Sequence, residues 1–272
     1  AAKSKATVPA LAGLAIVGRD AEMAIARAAF DLVTRNHRGV VLHVNGEDGV
    51  GKSRFVDEVL DHVRAHGDLF LLEGGCVPYG EANVWYPIAT ALSTYLDLDP
   101  SADADSAREV GLERARRLFP AIAATDAEKM VEVFMHLLGY PSAIDKLDAA
   151  RARSTIHRAV TRVFEARAED RTMVLSIDDI HWADPLLLDL LDSLVAAVGK
   201  HAFMLITAMR PGAEVAWPPP TDRTTTISLT LQPLTRADSD ELAAELLEET
   251  ADEILLAALY ERSGGNPLFV HE

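Results

Sequence analysis

The chain has 272 residues, 49% hydrophobic and 25% charged, the balance of an ordinary globular protein able to bury one large core or two smaller ones. A formal net charge of −16 leaves no basic stripe for a nucleic-acid face, so no direct nucleic-acid binding is expected of this domain. The single cysteine, Cys76, excludes an intrachain disulfide and suits a reducing, cytoplasmic setting.

Lys3 and Lys5 followed by VPALAGLAIVG have the outline of a signal peptide. The apolar run is short and leads straight into GRD, so it reads as the lead-in of a folded domain. No run reaches the length of a membrane span, and no membrane partner is expected. Asp20 to Asn36 reads as a helix with Ala24, Ala28, Leu32 and Val33 on one face. An apolar strand, Val40 to Val44, follows.

The next stretch, VNGEDGVGKSR from Val44 to Arg54, fits G-x-x-x-x-G-K-[ST] with Gly46, Gly51, Lys52 and Ser53 at the fixed positions. Glycine is favoured where the backbone bends sharply or approaches something closely. Such a loop turns its amides inward as an anion-binding nest, and the helix behind it adds its positive end. Glu47, Asp48, Gly49, Val50 and Arg54 belong to the same expected nucleotide contact. Lys52 would neutralise the β- and γ-phosphates, and the Ser53 hydroxyl would bind Mg²⁺. A glycine-rich hairpin is the bland alternative. It fits poorly between an apolar strand and the helical spacing of Phe55, Val59, Leu60 and Val63.

That helix ends near His66 and Gly67, and Leu69 to Gly74 form a second strand. From about Trp85 to Asp170 the pattern is almost entirely helical. Further strands follow at TMVLSID, FMLITAM and TTTISLTL, with WPPP (Trp217 to Pro220) marking an exposed loop before the last. Alternating strands and helices predict an α/β fold: a P-loop NTPase with a parallel five-stranded sheet flanked by helices. The helical insertion spans about residues 85–170. The α/β domain is expected over residues 1–233. Residues 234–272 read as the start of a helical lid, opening at Thr235, in a fragment of something longer.

In MVLSIDDIHWADP an apolar run ends in two carboxylates. Asp178 would hold Mg²⁺ opposite Ser53, and Asp179 would orient the attacking water. Asp179 also reads as a solvated carboxylate or an N-terminal helix charge. His181 either senses the γ-phosphate or packs within its loop. Asp184 and Pro185 read as a helix N-cap and first helical position. Arg210, at the end of the fourth strand, either stabilises transferred charge or is a surface arginine before a turn. No Asn-Lys-x-Asp guanine reader is present. The nearest string, Asp145 to Asp148, reads as helix surface, so adenine is preferred by elimination. Metalloprotease, zinc and G-x-S-x-G hydrolase motifs are missing from the sequence.

Taken together, VGRD (Val17 to Asp20), GEDGVGKSR, the run from Pro78 to Ile88, SIDDIHWADP, TAMRP, LQPLTRAD and SGGNPLFVHE resemble a known family over nearly the whole chain. That family is the STAND class of AAA-related ATPase domains, as in LuxR-type large regulators and modules attached to class III adenylyl cyclases. The resemblance implies an ATP/ADP- and Mg²⁺-dependent module. It implies Arg19 near the nucleotide, Asp20 standing where glutamate is usual, Arg210 as a sensor arginine and Pro267 packed on the adenine. It also implies sensor and output domains outside this stretch and nucleotide-dependent self-association. A regulatory switch that hydrolyses ATP slowly is the expectation. A ring-forming motor is the alternative, and a P-loop kinase is a third reading.

Overall fold

The computed structural model describes residues 15–78, 84–96, 102–120, 123–168, 171–212, 224–247 and 252–271. Lys3, Lys5 and WPPP lie outside them.

Strands β1 (Gly39–Gly46), β2 (Leu69–Gly75), β3 (Thr172–Asp178), β4 (Phe203–Met209) and β5 (Thr224–Leu231) form one parallel sheet in the order β2-β3-β4-β1-β5. Position in the sheet explains the sequences. Every residue of β4, and all but the first of β3, is buried, as continuous apolar runs require in a sheet covered on both sides. Edge strand β5 instead alternates, leaving Thr226, Ser228 and Thr230 exposed.

Helices α1 (Asp20–Asn36) and α2 (Lys52–Arg64) cover one face, against Val40, Leu42, Met204 and Ile206. The other face is covered by part of the helical insertion, α3 (Tyr86–Leu96), α4 (Ala104–Leu118), α5 (Ala124–Leu137) and α6 (Ala149–Ala168), and by α7 (Pro185–Val198). Phe164 of α6 stands edge-on to Phe70 and to Phe203, at ring centroid distances of 5.5 and 6.2 Å, tying the insertion to β2 and β4.

Two local expectations are corrected. The buried stripe of α1 is Met23, Ala26, Ala29, Phe30 and Val33, while Ala24 and Ala28 are exposed. Alanines occur all round this helix and mark no face; the large Met23 and Phe30 set its rotation. The Asp145 to Asp148 string is not the surface of an α-helix. Asp145 and Lys146 close a short 3₁₀ turn, where the Asp145 carboxylate accepts from the Ser142 amide at 2.8 Å in a capping box.

Helices α8 (Arg236–Leu247), α9 (Glu253–Ser263) and α10 (Pro267–His271) gather around a small core of Leu234, Leu242, Ala243 and Val270. Thr235 starts α8: its hydroxyl accepts from the Asp238 amide at 3.3 Å. Gly265 ties the turn between α9 and α10 to the segment that leads into α8. Its carbonyl accepts from the Leu234 amide at 2.7 Å, its φ is +76°, and an added Cβ would overlap the Leu234 carbonyl. Gly265→Ala therefore combines left-handed strain with a backbone clash. We expect a loss of about 1–3 kcal/mol, read as a lower melting temperature and faster amide exchange over residues 265–270. Unchanged melting and exchange would show that the junction adapts freely.

Candidate functional site

All five strands are parallel, so their carboxyl ends share one edge of the sheet. There β1 hands over to the glycine loop, β3 ends in Asp178 and β4 ends just before Arg210. Open parallel sheets bind ligands at this edge.

The loop closes on itself. Gly51, the residue before α2, has φ +97°, and a Cβ added there would meet no atom within 4 Å. Its glycine is needed for that conformation and not for packing. Lys52 opens α2 with its side chain buried, and its ammonium donates to the Gly46 and Glu47 carbonyls at 2.8 and 2.9 Å. Two of its three donors thus fix the head group across the loop mouth. Burial lowers its pKa, and the carboxylates of Asp48, Asp179 and Asp178 act in the opposite direction.

Ser53 Oγ donates to Asp178 Oδ2 at 2.9 Å, so the two expected metal ligands meet. The other oxygen of Asp178 accepts from the Asp179 amide at 3.0 Å, and its carbonyl accepts from Cys76 N at 2.9 Å. Burial, with Asp179 and Asp178 nearby, pushes the Cys76 thiol up to about 12, so it stays protonated. Asp179 leaves the strand in the left-handed region, φ +52°, which bends the chain and sets its carboxylate apart from that of Asp178. Aspartate tolerates this region better than most residues. Burial, and then the charge of Asp178, raise its pKa.

His181 packs behind Asp179, with its side chain 7% exposed and Nδ1 3.8 Å from Asp179 Oδ1. Neither ring nitrogen has a hydrogen-bond partner among the described residues, and burial holds the ring neutral. Trp182 lies beside it at 5.0 Å and is exposed. Asp184 caps α7 through the Leu186 amide at 2.8 Å, with Pro185 at the first helical position.

Arg210 Nε pairs with Asp48 Oδ1 of the loop at 2.8 Å. Its charge is felt at Lys52, Asp179 and His181 alike. Both partners are well exposed, so the pair contributes only about 0.2–1 kcal/mol to stability. Arg54 pairs with Glu58 one turn along α2 at 3.3 Å.

Arg19 meets the loop from behind. Its buried guanidinium donates to the carbonyls of Val50 at 3.2 Å and Gln232 at 2.6 Å, joining the loop to the end of β5. Pro267 begins α10 between two residues that touch the loop. Asn266 Nδ2 donates to the Asp48 carbonyl at 2.7 Å, and the Leu268 amide to that of Gly49 at 3.3 Å. Sequence reasoning missed Asn266, Leu268 and the Asp48–Arg210 pair. Only the SGGNPLF string, singled out for its proline, pointed toward the first two.

These residues suit a magnesium-bound nucleoside triphosphate. A lysine is held at the mouth of an amide nest, a hydroxyl and a carboxylate meet as hard oxygen ligands, and an orphaned imidazole lies beside the second carboxylate. Mg²⁺ bound there would neutralise phosphate oxygens. Ser53 and Asp178 would hold it, Lys52 would hold phosphate, and Asp179 would accept a hydrogen bond from water.

Residues 15–206 match the AAA ATPase domain family model. An uncharacterized protein of Rhizobium meliloti (strain 1021) is 30% identical over 267 residues, covering 94% of this chain, which spans only 24% of that relative's length. Among solved structures, the Aeropyrum pernix ORC1 protein in complex with DNA aligns at TM-score 0.55 and 14% identity, over 97% of this chain and 60% of that one. Cdc6p from Pyrobaculum aerophilum aligns at TM-score 0.54 and 12% identity, over 98% of this chain and 62% of that one. At such identities the likeness is one of fold. Like theirs, the fold here is α/β, a parallel five-stranded sheet flanked by helices.

Proposed function

The chain belongs to the AAA ATPase domain family, and from that premise we propose that it is a regulatory switch of a larger signalling or transcription-regulatory protein. In this reading it binds ATP with Mg²⁺ and slowly converts ATP and water to ADP and phosphate. One observation carries it: the C-terminal helices rest on the phosphate loop itself, through the carbonyls of Asp48 and Gly49. A nucleotide held by that loop acts on the residues that hold the lid. Only such differential contact lets a ligand shift a two-state element. Lys52, Ser53, Asp178 and Asp179 supply the chemistry. Arg19 acts through the loop backbone it grips. Pro267, between the loop-contacting Asn266 and Leu268, is the lid residue assigned to the base, and sensor and output partners are assigned to other parts of the parent protein.

The DNA in the ORC1 structure belongs to that protein; a net charge of −16 gives this chain little to offer a duplex. Among the described residues no helix is long and apolar enough to cross a membrane.

Two measurements test the switch. Steady-state ATPase rate against protein concentration should be slow and flat; a fast, cooperative rate would favour a ring motor. Hydrogen exchange over residues 235–247 and 252–271 should slow when ATP is bound. Protection confined to the loop and β3, with residues 265–268 unchanged, would remove the moving part from the mechanism.

A further inference from the structure

We propose that Asp48 sets the preference of this site for ATP over ADP by holding Arg210 on the phosphate loop until a γ-phosphate competes for it. The inference rests on the ATP-binding reading above and adds a positioning residue to it. A phosphate loop works by positive potential, and a carboxylate within it opposes the ligand. Packing does not explain Asp48, whose side chain is 61% exposed. Its partner does. Arg210 follows the end of β4, which pairs with β1 in register Asn45 to Met209, and its Nε reaches back to Asp48 Oδ1 at 2.8 Å.

Arg210 also lies outside the loop and the β3 end, and its charge is felt at Lys52, Asp179 and His181. In the ATP reading Lys52 holds the phosphates and Asp179 the attacking water, and the charge of Arg210 bears on both. A γ-phosphate offers up to two charges and three acceptor oxygens to a guanidinium fork, whereas Asp48 offers one charge at a solvated position. Arg210 therefore exchanges partners when ATP is present. ADP brings no such group, and Arg210 stays on Asp48. Part of the γ-phosphate contact is spent releasing Arg210, which holds the ATP preference down. Because the Asp48 carbonyl also accepts from Asn266, the released residue is one that holds the lid.

Fluorescent ATP and ADP analogues would be titrated into the wild-type chain, Asp48→Asn, Arg210→Gln and the double variant, with thermal melts confirming that each is folded. Breaking a competing exposed ion pair is expected to raise the ATP-to-ADP affinity ratio up to about fivefold in Asp48→Asn. Arg210→Gln should lower the ratio, and adding Asp48→Asn to it should change the ratio no further. A rise of equal size for ATP and ADP in Asp48→Asn would overturn the proposal, since that is relief of charge repulsion alone. The same ratio change with and without Arg210 would overturn it too. In either case a wild-type chain that binds both nucleotides leaves the ATP reading intact. A wild-type chain that binds neither would overturn both.

Discussion

Replacing Lys52 by alanine is expected to lower ATP affinity by about 10- to 150-fold, the worth of one hydrogen bond between charged groups. The lysine does more than its motif position implies. It is buried, and its ammonium ties together the Gly46 and Glu47 carbonyls that begin the loop. Alanine would leave the buried Gly46 oxygen without that donor, so some loss of stability is expected beside the loss of binding. Glu47 is exposed, and water can replace the donor there. Lys52→Met keeps the apolar stem and removes the ammonium with its donors, so comparing it with alanine separates the loss of the head group from the loss of stem packing. Both variants should remain folded, with melting lowered by a few degrees. Titration with a fluorescent ATP analogue beside thermal melts measures both quantities. Undiminished affinity in a folded variant would end the assignment of this loop to phosphate.

What the sequence disclosed, and what it did not, follows from the range of each interaction. The strand runs were legible because β1, β3 and β4 are covered on both faces and must be continuously apolar. The loop was legible because its chemistry fixes residue types at fixed spacing. The cap at Asp184 and Pro185 was legible because capping is local. The face of α1 was not, since alanine carries little periodic signal. Contacts across the fold were legible only where motifs named both partners, as for Ser53 and Asp178. Arg19 donates to a carbonyl 213 residues away, and Asp48 meets Arg210 only because β4 lies beside β1. The left-handed turn at Asp179 was equally hidden, because it is a backbone choice at a residue that adopts either hand.

That turn sharpens the second large effect. Asp179→Asn is expected to keep Mg²⁺-dependent ATP binding and to lose hydrolysis by about 10²–10⁴-fold, the span that one general base commonly supplies. Asparagine tolerates a positive φ as aspartate does, so the bend at φ +52° survives and only the charge is removed. Asp178→Asn should act elsewhere. Both oxygens of Asp178 are engaged, one by Ser53 Oγ at 2.9 Å and one by the Asp179 amide at 3.0 Å, in the place where a metal would be shared with Ser53. Its loss should weaken the dependence of binding on Mg²⁺. The structure gives a reason to expect the split. Asp178 is buried at the strand end, whereas Asp179 has already left the strand and lies beside the orphaned ring of His181. Nucleotide titrations at varied Mg²⁺ and single-turnover hydrolysis would be run on both variants. An equal loss of metal-dependent binding in the two would mean that the carboxylates act as one metal site. The water would then need another partner, and His181, 3.8 Å from Asp179 with both ring nitrogens unpartnered among the described residues, would be the next group to vary.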